Sequence, residues 1–524
     1  MNRITGALLL AASCILVSFK GDNTEKVDLH TIMLIKNEGF GNSQVMKTLS
    51  ELTDVNGPRL TGSPGMKSAE KWAKEKLESW GLEHAAIEPW GSFGKGWEIN
   101  KAYVAMTAPY YQSLIAVPKA WTPGTNGLIK ANAMIVKIES MDDMAKYAGK
   151  LSGKITVILP AAGFDPKPNF TPDASRVSDA DLDKLAKDPH TEDVPANTTP
   201  RNANRMAPAN RASIDSFLMA EGAVAVLSGG RGTMGTVFTS NGASRAWNAK
   251  PVLPEMEMGM EHLASMQRLL DGGKDVTLEM DTRTTFYTND SIENNVVAEI
   301  PGTDPKLKEE LVILGGHMDS WHASTGATDN GVGVAVAMEA VRIIKTLGLK
   351  PRRTIRVILW SGEEQGLLGS RGYVKNHFAD RKTMELKPDQ SKVSAYYNLD
   401  NGGGKIRGIY LQGNDELKPI FQSWLEPFDD LGAGTVTYRN TGSTDHISFD
   451  EVGIPGFQFI QDGLEYGTRT HHTNMDSYDR ASPNDLMQAS IIMASFVYHT
   501  AMRDEKLPRK ALPKPAATPV GARR

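Results

Sequence analysis

The sequence predicts an α/β protein in which a mixed, mostly parallel sheet carries helices on both faces, with a small β-rich domain inserted into the chain. From residue 294 onward, apolar runs of strand length alternate with helix-like segments, as expected for such a sheet. Between about residues 90 and 280, short β-like runs lie instead among loops rich in Pro, Gly and Asn. The chain has 524 residues, too many for one compact core, so at least two domains are expected.

The elements can be placed in chain order. Two helices are expected within 41–81, because apolar residues recur there at helical spacing. Strand candidates in the main sheet are 295–300, 311–314, 355–360, 395–399, 406–411 and 456–460, and helix candidates are 331–347, 366–376, 415–425 and 483–500. The predicted division is a signal peptide at 1–22, the first part of the main domain at 23–110, the insert at 111–285, the rest of the main domain at 286–505 and a disordered tail at 506–524. Within the insert, the polar and Pro-rich residues 165–210 are expected to form an irregular excursion.

The amino terminus has the pattern of a secretory signal peptide. Arg3 precedes an apolar run from Ala7 to Phe19, which is short for a membrane span, and polar residues follow. This pattern predicts a secreted or periplasmic protein with no transmembrane span in the mature chain. The only cysteine, Cys14, lies inside this segment, so a cleaved chain would contain no disulfide. Lipoprotein anchoring through Cys14 is the less favoured alternative, because the apolar run continues beyond it.

The composition excludes one class of partner. Lys plus Arg number 58 and Asp plus Glu number 62, a formal charge of −4, so there is no electrostatic case for binding nucleic acid. The side chains that suggest chemistry are acidic residues and histidines.

Acidic residues and histidines cluster in five short stretches, most of them at the end of an apolar run or in the loop after it. These stretches are His317-Met318-Asp319, Asp329-Asn330-Gly331, Glu363-Glu364, Asn398-Leu399-Asp400 and His471-His472-Thr473-Asn474-Met475-Asp476. One His-Asp pair alone would more often be a structural pair than a ligand pair. Because five stretches should meet at the carboxyl edge of one sheet, where α/β proteins place their sites, we expect a metal centre there.

Imidazole nitrogen and carboxylate oxygen are ligands that zinc accepts, and two zinc ions about 3.5–4 Å apart can share a bridging carboxylate. Adjacent side chains of an extended chain point to opposite sides, so Glu363 and Glu364 should not both bind one ion. One ligand and one general base is the expected division, although the residues alone do not order the two. Asp319 is expected to orient the imidazole of His317, and Asp476 that of His472.

The set HxD, DNG, SGEE, NLD and HHTxxD resembles the zinc exopeptidase family that includes bacterial leucyl aminopeptidase and carboxypeptidase Q. The resemblance covers about residues 294–500 and reaches the PRLTGSPG stretch near residue 60, and the insert resembles a protease-associated domain. It implies a peptide substrate, two zinc ions per chain and, since dimers are common in the family, a homodimer.

The resemblance also implies a role for each residue. Asp329 would bridge the ions, His317 and Asp400 would complete one ion, and Glu364 and His472 would complete the other. Glu363 would be the general base, and Tyr466 would lie near the tetrahedral oxyanion. His472 is chosen over His471 because it directly precedes Thr473 in the HTxxD pattern.

Several alternatives stay open at this point. Within the same fold, a one-zinc glutaminyl cyclase is the rival enzyme, and a receptor-like binding protein with an inactive site is the rival from another class. The sequence does not say whether the enzyme is an aminopeptidase or a carboxypeptidase Q-like dipeptidase. Asp445 and His446 lie in a loop beside the predicted site and are interpreted as structural, as is His322.

Overall fold

The structure is a computed structural model, and it describes residues 25–159, 170–188 and 208–515. The predicted signal peptide with Cys14 and the end of the tail, 516–524, lie outside the described residues. No helix in the described ranges is long and apolar enough to cross a membrane.

The described part of the chain forms helices and strands as follows. The helices are α1 (Leu29–Gly41), α2 (Val45–Ser50), α3 (Pro64–Ser79), α4 (Asp179–Lys187), α5 (Pro208–Ala220), α6 (Met260–Asp271), α7 (Val332–Thr346), α8 (Leu368–His377), α9 (Lys418–Leu425), α10 (His446–Asp450) and α11 (Pro483–Met502). The strands are β1 (Glu83–Ser92), β2 (Gly96–Ala108), β3 (Gln112–Ser113), β4 (Ala116–Pro118), β5 (Ile129–Val136), β6 (Ile155–Ile158), β7 (Ala225–Ser228), β8 (Glu255–Met258), β9 (Thr277–Tyr287), β10 (Ile292–Ile300), β11 (Leu311–His317), β12 (Thr354–Trp360), β13 (Ala379–Asp380), β14 (Glu385–Leu386), β15 (Val393–Asn398), β16 (Ile406–Tyr410), β17 (Thr435–Thr437) and β18 (Gly456–Gln461).

The main sheet has eight strands within the described residues, in the order β1-β10-β12-β11-β15-β18-β16-β17. Its four central strands, β12, β11, β15 and β18, are parallel to one another, whereas β10 runs antiparallel to β12 and β16 antiparallel to β18. The predicted α/β class with a mixed sheet is therefore confirmed.

Helices cover both faces of the main sheet. Along β11, Val312 and Leu314 belong to the core shared with α7 and α11, whereas Ile313 belongs to a second core on the opposite face with Tyr373 of α8 and Phe449 of α10. Every residue of β11 is buried, which explains why the strand reads as an unbroken apolar run ending in Gly-Gly-His rather than as an alternating pattern.

A second sheet is built from the strands between β1 and β10. Its order among the described strands is β3-β2-β9-β5-β6-β7-β8-β4, with a parallel centre from β5 to β8. One of its faces packs against α6 through Met256 and Leu263, and the other packs against α5 through Val226 and Leu218. Because β2 begins at Gly96, the sheet takes in residues before 111, and the predicted domain bounds remain a prediction.

Two parts of the chain differ from the sequence expectation. Residues 165–169 and 189–207 of the expected irregular excursion lie outside the described residues. The described part contains α4, and Arg176, just before this helix, binds Asp462 Oδ2 at 2.7 Å and Asp485 Oδ2 at 2.8 Å. The predicted disordered tail packs on the main sheet at its start, where Leu507 is buried and Arg509 donates to the carbonyl of Val393 at 2.6 Å. In both segments, the composition suggests a loop or a disordered end, but a few side chains bind the segment to the main domain.

Candidate metal centre

The predicted ligands meet at the carboxyl edge of the main sheet. His317 ends β11, Glu363 and Glu364 lie in the loop after β12, and Asp400 lies just after β15. Since β12, β11 and β15 are parallel neighbours, their carboxyl ends lie side by side. Asp329 lies in the tight turn before α7 and faces the same edge.

Asp329 lies between two groups of ligands. On one side, His317 Nε2 is 3.3 Å from Asp400 Oδ1 and 3.6 Å from Asp329 Oδ1. On the other side, His472 Nε2 is 2.8 Å from Glu364 Oε2 and 3.2 Å from Asp329 Oδ2. One carboxylate thus turns one oxygen towards each group, as a bridging ligand between two cations must.

Three carboxylate oxygens of this cluster are buried without a hydrogen bond in the described structure: Asp329 Oδ2, Glu364 Oε1 and Asp400 Oδ1. A buried carboxylate oxygen without a partner is unfavourable, and bound cations remove that penalty. The donor set of two imidazoles and three carboxylates fits zinc, which accepts both kinds of ligand. The residues present therefore fit a pair of zinc ions.

The two glutamates differ in their positions. Glu364 is almost fully buried and contacts His472, whereas Glu363 is somewhat more exposed and its Oε2 lies 3.9 Å from His317 Nε2. Burial raises the pKa of Glu363 well above its usual range, with the nearby Asp400 adding to the effect although His317 opposes it. Burial and the neighbouring Asp329 likewise raise the pKa of Glu364. Glu363 is thus the member of the doublet that stays outside both close ligand groups.

Histidine protonation reflects the surrounding carboxylates. Burial disfavours a charge on His317, but Asp400 and Glu363 outweigh it and hold its pKa well above the usual value. Burial lowers the pKa of His472, although Asp329 opposes the effect. For Asp329 burial acts to raise the pKa, yet the adjacent His472 and His317 hold it below its usual range.

Asp319 supports two ligand stretches at once. Its backbone carbonyl lies 2.9 Å from His317 Nδ1, which can fix the imidazole, and its carboxylate is farther from that nitrogen, at 3.6 Å. The carboxylate accepts hydrogen bonds from the amides of Glu363 and Glu364, each at 3.2 Å, and from Thr61 Oγ1 at 3.0 Å. The predicted orienting role therefore falls mainly to the main chain of Asp319, and its side chain holds the glutamate doublet.

Asp476 holds the Asp329 turn rather than His472. Its carboxylate accepts from the amide of Thr328 at 2.7 Å and from the amide of Asp329 at 3.0 Å. Proximity in sequence to His472 is misleading, because the loop turns between them and directs the Asp476 side chain towards the amides of Thr328 and Asp329. Burial raises the pKa of Asp476 to about 7, with the charge of Asp329 adding to the effect.

Asn330 fixes the other end of the same turn. Its Nδ2 donates to the carbonyl of Leu399 at 2.9 Å, and its Oδ1 accepts from the amide of Gly333 at 3.1 Å. The peptide bond between Asp329 and Asn330 is cis. Since Leu399 directly precedes Asp400, the side chain of Asn330 connects the Asp329 turn to the Asp400 loop.

The geometry distinguishes the two adjacent histidines. His471 Nε2 is 4.0 Å from Asp329 Oδ2, compared with 3.2 Å for His472, and only His472 also contacts Glu364. Tyr466 lies beside His471, with ring centroids 4.7 Å apart, and its hydroxyl donates to Asp329 Oδ1 at 3.0 Å. Burial and the charge of Asp329 raise the pKa of Tyr466 well above its usual range, so the phenol remains a neutral donor.

Residues between β7 and β8 of the second sheet reach the candidate metal centre. The amide of Thr239 donates to the carbonyl of His472 at 2.7 Å, and Phe238 pairs with Thr473 in an isolated antiparallel bridge. Arg231 lies over the ring of Phe238, 4.0 Å from its centroid. Thr239 and Phe238 therefore help to shape the backbone on which His472 lies.

The neighbouring side chains interpreted as structural take different positions. His322 is buried with its Nε2 2.7 Å from the carbonyl of Pro118, and burial lowers its pKa to about 4. His446 also contacts a backbone carbonyl, that of Thr441. Asp445 is fully buried, its carboxylate has no hydrogen bond to the described residues, and burial raises its pKa to about 7.

Comparison with known proteins places the chain among peptidases. Residues 295–497 match the family model described as peptidase family M28. Mouse carboxypeptidase Q is 27% identical over 463 residues, which is 88% of this chain and 86% of that protein. The solved structure of a peptidase M28 precursor from Shewanella amazonensis SB2B is 25% identical with a TM-score of 0.67, covering 93% of this chain and 98% of that one. A zinc aminopeptidase from Bacillus subtilis shares the fold at 19% identity with a TM-score of 0.55, covering 88% and 96% of the two chains.

Replacing Asp476 by Asn should weaken metal binding. An amide side chain cannot accept from both Thr328 and Asp329 in the same way, because one of its two terminal atoms is a donor. We expect zinc affinity to fall about 10- to 100-fold, as for other residues that support metal ligands. Competition with a chromophoric chelator on the metal-free protein measures this change. Asp479→Asn, an exposed aspartate three positions further along, is the matched control and should leave affinity unchanged; equal affinities of the two variants would contradict the assigned role.

Proposed function

The chain belongs to peptidase family M28, and on that premise we propose that it is a two-zinc exopeptidase that hydrolyses terminal bonds of short peptides. The position of Asp329 between two ligand groups is the observation that carries the proposal. A second support is that mouse carboxypeptidase Q and the Shewanella amazonensis precursor, which are 27% and 25% identical to this chain over most of its length, are named as peptidases.

We assign the ligands as the geometry groups them. His317 and Asp400 would hold one ion, Glu364 and His472 the other, and Asp329 would bridge the two. When bound, the zinc ions would lower the pKa of a bridging water and polarise the scissile carbonyl. All other roles in the reaction fall to side chains of this chain.

Glu363 is the proposed general base. It lies beside the ligands without joining either close group, so its carboxylate is available to take a proton from the attacking water and to pass it to the leaving amine.

Tyr466 is proposed to stabilise the oxygen that becomes negative during attack. Its hydroxyl already points at the site, donating to Asp329 Oδ1, and its raised pKa keeps the proton on the phenol. A neutral hydroxyl at this position can donate to the developing oxyanion.

The alternatives fit less well. A one-zinc glutaminyl cyclase needs only one ligand group, whereas both groups are assembled around Asp329. A receptor-like protein with an inactive site would tolerate the loss of ligands, yet all five are in place. Export from the cell remains a proposal that rests on the amino-terminal pattern of residues 1–22.

Replacing Glu363 by Gln should abolish hydrolysis while leaving the metal in place. Gln keeps the size of the side chain but cannot accept and return the proton, so kcat should fall about 10²- to 10⁴-fold. Initial rates and zinc content of purified protein measure the two effects separately. Full activity of this variant would contradict the assigned base.

Two controls sharpen that test. Glu309→Gln changes an exposed glutamate and should leave both activity and zinc content unchanged, whereas Glu364→Gln should lose zinc together with activity.

A separate assay of the unaltered enzyme decides which terminus it attacks. The substrates are a free dipeptide, its amine-blocked form and its carboxyl-blocked form. Hydrolysis that requires the free amine indicates an aminopeptidase, and hydrolysis that requires the free carboxylate indicates the carboxypeptidase type.

Zinc should stabilise the protein more at higher pH. Burial raises the pKa of Asp445 and Asp476 to about 7 and raises that of Glu363 and Glu364, so these groups favour folding when protonated. Their contribution to the stability of the folded state is complete below the unfolded pKa and is lost as pH rises through the folded pKa. The metal-free protein should therefore become less stable as pH rises. Zinc binds the deprotonated ligands, so the gain in Tm on adding zinc should increase from about pH 5.5 to about pH 7.5. Thermal unfolding with and without zinc measures the gain, and a gain that shrinks over this range would contradict the account.

A further inference from the structure

Arg59 is a fully buried cation that lies beneath the ligand loops. Its side chain is 0% exposed, and none of its hydrogen bonds to the described residues goes to a carboxylate. Nε donates to the carbonyl of Met318 at 2.6 Å, Nη1 to those of Gly57 at 3.1 Å and Thr325 at 2.6 Å, and Nη2 to that of Gly326 at 2.8 Å. The guanidinium is thus satisfied by main-chain oxygens alone.

Three of these four carbonyls belong to the loop that connects His317 to Asp329. Met318 directly follows the first ligand, and Gly326 lies shortly before the bridging residue. One planar guanidinium therefore contacts both ends of the loop. The main chain of Arg59 pairs with the middle of the same loop, since its amide donates to Ser320 Oγ and its carbonyl accepts from the amide of Ser320, each at 3.2 Å.

Two residues further along, Thr61 makes an equivalent connection to the glutamate doublet. Its hydroxyl donates to Asp319 Oδ2 at 3.0 Å and accepts from the amide of Gly362 at 3.1 Å. The carboxylate of Asp319 in turn accepts from the amides of Glu363 and Glu364. The segment Arg59–Thr61 is therefore in contact with both ligand loops through buried hydrogen bonds.

Arg59 also carries a positive charge that is present before any metal binds. Burial lowers its pKa to about 10, but Asp476, Asp319 and Asp329 oppose the effect, and the group remains charged at neutral pH. Burying an ion is unfavourable unless hydrogen bonds and nearby opposite charges compensate. Here the loop carbonyls supply the hydrogen bonds, and the carboxylates of the metal centre supply the attraction.

We infer that Arg59 and Thr61 form a clamp that sets the ligand loops in their binding geometry before the metal arrives, with Arg59 as a positioning residue. The inference rests on the proposed function, because it concerns the same metal centre. It predicts that removing the guanidinium loosens residues 318–330 even in metal-free protein and weakens zinc binding as a consequence.

Arg59→Met is the direct test, because Met has similar length and no donors. In metal-free protein, hydrogen exchange of the amides at 318–330 should become about 10-fold faster or more, and zinc affinity should fall about 10- to 100-fold. In zinc-loaded protein, kcat should fall while KM stays within about 2-fold, because the fully buried Arg59 cannot contact a substrate.

Arg353→Met is the matched control. Arg353 is also buried and also donates to main-chain carbonyls, those of Arg503 and Asp504, but it precedes β12 at the opposite edge of the sheet. This variant should lose stability without faster exchange at 318–330 and without any change in zinc affinity. Equal exchange and zinc affinity in the two Met variants would mean that Arg59 has only a general structural role, which would overturn the inference.

Arg59→Lys separates charge from geometry. Lysine keeps the charge, but its single ammonium cannot contact both ends of the loop, so exchange and zinc affinity should stay close to those of the Met variant. Full recovery of zinc affinity and of slow exchange with Lys would overturn the clamp.

If the Arg59 variants do not fold, the nearly isosteric Thr61→Val provides a second test. It should weaken zinc binding about 10-fold and speed hydrogen exchange at 361–364, and no change would overturn the inference. Failure of the unaltered protein to bind zinc would refute the proposed function, while the exchange measurement on metal-free protein would still decide the clamp.

Discussion

The carboxylate of Asp329 turns one oxygen towards each of two groups of proposed ligands, and the surrounding structure holds it in that position. Its oxygens lie 3.6 Å from His317 Nε2 and 3.2 Å from His472 Nε2. Such a position cannot be held by the side chain alone, so the main chain on both sides of the residue is fixed. Asp476 accepts the amide of Asp329, and Asn330 connects the turn to the Asp400 loop. The parallel centre of the sheet then brings the remaining ligands to the same edge.

This arrangement collects negative charge where water is excluded. Burial raises the pKa of Glu363, Glu364, Asp445 and Asp476, which shows that the folded chain alone tolerates these charges poorly. Cations relieve that cost in two ways. Arg59 contributes a charge that is always present, and bound metal ions would contribute the rest. Such a cluster of buried carboxylates lowers the stability of the metal-free protein and raises its affinity for divalent cations.

The clustering of the proposed ligands could be predicted from sequence, because these residues follow apolar strands in recognisable motifs, whereas their roles as ligands remain a prediction. His317, Glu364 and Asp400 lie where those strands end. The supporting contacts could not be predicted, since they join distant parts of the chain: the amide of Arg59 donates to a side chain 261 positions away. Sequence proximity also misassigned Asp476, which turns away from His472 towards the Asp329 loop. The alternation of strand-like and helix-like segments after residue 294 was enough to predict the fold class. The position of α4 and the packing of the start of the tail could not be predicted, because Arg176 and Leu507 contact residues distant in sequence.

The central claim is that one carboxylate joins two metal positions, and anomalous diffraction at the zinc absorption edge tests it most directly. Crystals of the zinc-loaded protein should show two peaks about 3.5–4 Å apart with Asp329 between them. One peak should lie beside His317 and Asp400 and the other beside Glu364 and His472. A single peak, or two peaks that do not share Asp329, would contradict the account.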